Sequence, residues 1–68
     1  MSVTYKKLWK LLIDKELKKA DIRRAAGISA STISKMNRNE YVALEVLEKI
    51  CISLNCNIGD IVECVEDK

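Results

Sequence analysis

Between Ser29 and Asn39 the chain reads SASTISKMNRN, and its side chains there suit molecular recognition. A serine hydroxyl both donates and accepts, so Ser31 and Ser34 can pair with any base edge. The Lys35 ammonium donates to guanine O6 and N7, and the methyl of Ala30 fits beside a thymine methyl. Lys18, Lys19 and Arg38 flank the segment with the positive charge that phosphate oxygens attract. This is chemistry of reading a polyanion rather than of making or breaking bonds.

Bond-making chemistry finds little support elsewhere. The chain has no His, which removes the commonest general acid/base and the commonest metal ligand together. No nucleophile–base pair, phosphate loop or metal cluster is legible, so no enzyme and no cofactor are expected. Cys51, Cys56 and Cys64 lack a CxxC pair and a His to complete four ligands, so zinc is not expected either. Their odd number, with no secretory h-region, points to an intracellular, cytoplasmic protein, and no run approaches the roughly 18 apolar residues of a membrane span. No small-molecule ligand is evident.

The elements that must carry the recognition segment follow from hydrophobic spacing. At 68 residues, with no Pro and glycines only at 27 and 59, the chain is expected to form one all-α domain over 1–68, a compact bundle of about five short helices. Tyr5, Leu8, Trp9 and Leu12 fall at i, i+3, i+4 and i+7, which predicts an amphipathic helix over 5–16 with Thr4 as its cap and both aromatics in the core. Met1 to Val3 reads as extended or frayed. A second helix is predicted from Lys18 or Lys19 to Ala26, with Ile22, Ala25 and Ala26 facing inward and Gly27 as its left-handed terminus. Ser29 caps a third, Ala30 to about Met36, anchored by Ile33 and Met36. After a polar break at 37–40, a fourth helix carries Leu44, Leu47, Ile50, Cys51 and Leu54, with no side-chain acceptor at its cap, Ala43. Asn57 caps a short fifth with Ile58, Ile61 and Val62, and the tail over 63–68 has no settled period.

The second and third helices lie two or three residues apart, and Ile22, Ile28 and Ile33 can plug the angle between them. This is the arrangement of a helix-turn-helix, here at about 18–37. From Leu17 to Ile61 the chain resembles the lambda-repressor and Cro type of helix-turn-helix domain. The pattern is carried by Ile22, Ala26, Gly27, Ile28, Ser29, Thr32, Ile33, Ser34, Lys35 and Met36, and Leu44–Glu63 looks like that family's fourth and fifth helices. The resemblance implies that α-helix 30–36 enters the major groove. Ala30, Ser31 and Lys35 would face bases, Ser29 would lie near a phosphate, and Lys19 would stand where a phosphate-contacting Gln is usual. Asn39, grouped with the phosphate contacts, sits where Gly is common, and Arg23 occupies a position usually held by a small Ala.

Charge supports the same reading. Residues 1–38 carry ten Lys and Arg against three acids, a net of +7, while residues 39–68 carry two Lys against seven acids, a net of −5. A nearly neutral total of +2 thus hides a basic half suited to one side of a polyanion. The expected function is sequence-specific binding of double-stranded DNA by a small transcriptional regulator. A homodimer on a two-fold-related site is expected, because one module of this size makes few contacts. The alternative is an antitoxin or adaptor that uses the same fold as a protein-interaction module, since Ala30, Ser31 and Ser34 reach less far than Gln, Asn or Arg.

Overall fold

Each helix of this chain is too short to persist alone, because an isolated helix below about 12–15 residues is marginal in water. Packing must hold them. In the computed structural model, which describes residues 2–66, the order is β1 (Ser2–Thr4), α1 (Lys6–Asp14), α2 (Lys19–Ala26), α3 (Ala30–Asn37), α4 (Leu44–Leu54), a single 3₁₀ turn (Ile58–Asp60) and β2 (Glu63–Val65). The core takes Leu8 and Leu12 from α1, Ile22 and Ala26 from α2, Ile33 and Met36 from α3, and Leu47, Ile50 and Leu54 from α4. Tyr5, Ile28 and Ile61 fill the joints between elements. The most extensive helix–helix contact is that of α2 on α4, which makes α4 the platform beneath the helix-turn-helix.

All four helices end in the same way. In each, a residue one or two positions past the terminus adopts the left-handed conformation: Glu16 (φ 57°), Gly27 (φ 67°), Asn39 (φ 56°) and Asn55 (φ 54°). The next amide then donates back over five residues: Leu17 to the Leu12 carbonyl at 2.8 Å, Ile28 to Arg23 at 3.0 Å, Glu40 to Lys35 at 2.9 Å and Cys56 to Cys51 at 3.0 Å. These are Schellman-type ends, which satisfy the last carbonyls and turn the chain sharply. Gly and Asn tolerate the conformation; Glu16 adopts it at a cost.

The start of α1 is tied to the end of α3. Tyr5 is buried, its amide donates to Asn39 Oδ1 at 3.3 Å, and its hydroxyl donates to the Glu40 carbonyl at 2.7 Å. Burial pushes the Tyr5 phenol above its ordinary pKa. Asn39 thus both turns the chain after α3 and receives the entry to α1.

The structure corrects several expectations. Among the described residues there are four α-helices rather than about five, since the segment after Asn57 makes only the 3₁₀ turn, with Asp60 accepting from the Asn57 amide at 2.9 Å. Three residues at each end instead pair as an antiparallel two-stranded sheet, Ser2 opposite Val65, Val3 opposite Cys64 and Thr4 opposite Glu63. The fold is therefore mostly rather than wholly α. Met1, Asp67 and Lys68, part of the segments read as extended or frayed and as without period, lie outside the described residues. Tyr5, not Thr4, stands at the cap position of α1, although the Thr4 hydroxyl still accepts from the Lys6 amide at 3.3 Å. Ala25 and Leu44 are exposed, Leu44 by 68%, because each falls just off the arc its helix turns to the core. Trp9 is half-buried at the core's edge. Among the described residues no helix is long and apolar enough to cross a membrane.

Three stability measurements follow. Glu16→Gly should relieve the left-handed strain and, after the greater chain entropy of glycine, raise unfolding free energy by roughly 0.5–1 kcal/mol in urea denaturation. Gly27→Ala should lower it, although nothing lies within 4 Å of the added methyl. Ala43 stands at the cap of α4 in extended backbone with no side-chain acceptor, so Ala43→Ser should add about 0.5–2 kcal/mol. An unchanged melting temperature would place the start of α4 elsewhere.

Candidate nucleic-acid interface

The positive φ of Gly27 lets α2 and α3 be joined by only three residues, and the buried side chains of Ile22, Ile28 and Ile33 fill the space between them. The face of α3 turned from the core is left to Ala30, Ser31, Ser34 and Lys35, all exposed. The helix periodicity spreads them over two flanks. Ala30 and Ser34 share a shallow groove with Lys19, Ala20 and Arg23 of α2, whereas Lys35 borders a depression with Ser2, Asn39 and Tyr41. Arg23 is half-buried on the rim of the first groove.

Ser29 caps α3 as the sequence predicts: its Oγ accepts from the Thr32 amide at 3.2 Å. The same oxygen lies 3.0 Å from Ser31 Oγ and 2.9 Å from Thr32 Oγ1. Three hydroxyls are therefore already linked at the end of the helix where backbone N–H groups favour an anion. Thr32, half-buried, belongs to this cluster although sequence reasoning gave it no site role; its i+3 spacing from the cap was the available signal.

Lys19 is the first residue of α2, where a cation faces the unfavourable end of the helix dipole. Its side chain turns away. The ammonium lies 4.2 Å from the centroid of the Trp9 ring and donates to Asn37 Oδ1 at 2.6 Å, so one side chain bridges α1, α2 and α3. A cation over an indole face at an exposed site is worth about 0.5–1 kcal/mol. Nothing in the sequence separation of residues 9, 19 and 37 announces this bridge. Lys18 is exposed at the α2 cap, and its amide is held by Asp21 Oδ2 at 2.8 Å.

Arg38 and Asn39 are more occupied than their sequence positions suggest. The Arg38 guanidinium is paired with Glu40 Oε2, a hydrogen bond that holds the Glu40 carboxyl below its ordinary pKa and raises that of Arg38. A phosphate at Arg38 would compete with this carboxylate. The Asn39 amide oxygen is already engaged by Tyr5. The structure thus brings Lys19, Ala30 and Ser34 to one groove and Ser29 with Ser31 to one cluster, and sets Lys35, Arg38 and Asn39 toward the far end of α3.

Comparison with known proteins agrees with this geometry. A family model described as the Cro/C1-type helix-turn-helix DNA-binding domain matches residues 7–67. The crystal structure of the transcriptional regulator VanUg, Form II, is similar at 52% sequence identity and a TM-score of 0.94, over 97% of this chain and 88% of that one. No curated protein matches significantly. Matching spacing, an exposed polar helix after a left-handed turn and a family model spanning nearly the whole chain lead to one conclusion: this chain belongs to the Cro/C1-type helix-turn-helix DNA-binding domains.

Proposed function

We propose that the domain binds double-stranded DNA sequence-specifically as a small transcriptional regulator, with α3 in the major groove. The observation that carries this reading is the exposed polar face of Ala30, Ser31, Ser34 and Lys35 beside the pre-linked Ser29 cap. In this reading Ser31, Ser34 and Lys35 pair with base edges and Ala30 contacts a thymine methyl. Lys18, Lys19, Ser29, Arg38 and Asn39 hold the backbone. Two copies bind a two-fold-related site, because half-sites one helical turn apart multiply the few contacts of a single module. Similarity to a transcriptional regulator supports the regulatory role.

Base reading and phosphate binding separate experimentally. Lys35→Ala should cost about 1–3 kcal/mol on the preferred duplex, relax preference at one base pair and lose less on scrambled DNA. Equal losses on both duplexes would make Lys35 a phosphate contact. No loss on either, for Lys35→Ala and Ser31→Ala alike, would favour the protein-interaction module.

Lys19→Ala should weaken all duplexes alike and reduce the salt slope by about one unit. Trp9 is the chain's one tryptophan, so its fluorescence reports the same event. A phosphate that draws the Lys19 ammonium from the ring should change the emission on binding, and Lys19→Ala should remove most of that change. A salt slope and an emission change both unaltered by the substitution would take Lys19 out of the interface.

A further inference from the structure

Cys51 and Cys56 have no motif spacing, yet the end of α4 brings them together. Asn55 takes the left-handed conformation, its amide donates to the Ile52 carbonyl at 3.3 Å, and the Cys56 amide donates to the Cys51 carbonyl at 3.0 Å. In a helix end of this kind the side chains flanking the longer bond face each other, usually as an apolar pair. Here that pair is two thiols, both half-buried against the core. A disulfide requires an α-carbon separation of roughly 4.4–6.8 Å, and the 3.0 Å bond from the Cys56 amide to the Cys51 carbonyl holds the two backbones close. Beside it, a groove between α1 and the end of α4 is bordered by three lysines, Lys7, Lys10 and Lys15, and two carboxylates, Asp14 and Asp60, a positive balance, and opens onto Cys56.

We propose that Cys51 and Cys56 form a redox-active dithiol that exchanges with a low-molecular-weight anionic disulfide admitted along this lysine-bordered groove, closing an intramolecular bond that staples the end of α4. Cys56, which lines the groove, attacks first. Its thiolate displaces one half of the small disulfide, which leaves as a thiol after taking a proton. Cys51 then loses its proton to solvent and attacks the Cys56 sulfur of the mixed disulfide, releasing the second small thiol. The protein gives up two protons and two electrons, and the small disulfide is reduced to two thiols. Burial, then the Cys56 thiol and the carboxylates of Asp60 and Glu48, raise the Cys51 pKa, which suits it to the second, resolving step. Cys64 is exposed on β2, outside this turn.

The experiment uses folded Cys64→Ser protein incubated with oxidised glutathione. Mass spectrometry should show the loss of two hydrogens, and peptide mapping should place the bond between Cys51 and Cys56. The oxidised form should melt roughly 5 °C or more above the reduced form and revert with dithiothreitol. Cys56→Ser in the same background should show no such loss; the primary readout stands whether or not this control folds. A mixed disulfide that never resolves, closure only in denaturant, or an oxidised form that melts no higher than the reduced one would overturn the proposal.

Discussion

The fold depends on four sharp reversals, each made by a residue in the left-handed conformation. Helices of eight to eleven residues cannot sustain themselves, so the chain must fold each one back on its predecessor within a few residues. Glu16, Gly27, Asn39 and Asn55 do this with the same backbone geometry, and in each case the recovered carbonyl bond returns some of the hydrogen bonding lost at the helix end. The angle between α2 and α3, which sets how α3 is presented, is a consequence of the turn at Gly27 and of the three isoleucines packed behind it. Straightening that turn would hide the polar face of α3 or expose the core.

The other end of α3 is fixed by an interaction across half the sequence. Tyr5 reaches the turn after α3 with both its amide and its hydroxyl, and β1, immediately before it, pairs with β2 from the far end of the chain. A short domain buries a smaller share of its surface than a large one, so such ties carry more of its stability. Asn39 shows how one residue serves two demands: its conformation ends α3, and its amide oxygen anchors α1.

Charge and packing are joined most closely at Lys19. A lysine at the start of a helix is poorly placed unless an anion or another acceptor compensates. Here Trp9 and Asn37 supply that compensation and hold the ammonium beside the groove shared with Ala30 and Ser34. Arg38 is compensated by Glu40 instead, which leaves the two ends of the helix pair with differently committed cations.

The residues by themselves determined the four α-helices and the exposed face of α3, because those rest on local physics. Gly27 between two periodic segments, Ser29 with its hydroxyl, and Ile33 and Met36 three apart suffice to place α3 and to leave Ala30, Ser31, Ser34 and Lys35 outward. The missing acceptor at Ala43 was equally legible, since a cap involves only neighbouring residues. Tertiary structure decided what depends on distant partners. Three-residue strands carry too little pattern to be read, and β1 and β2 exist only because the fold brings residues 2–4 beside 63–65. The occupied states of Asn39 and Arg38, the Lys19 bridge and the exposure of Leu44 likewise follow from which surfaces meet, and hydrophobic spacing along one helix records its apolar arc without saying how much of it a neighbour covers.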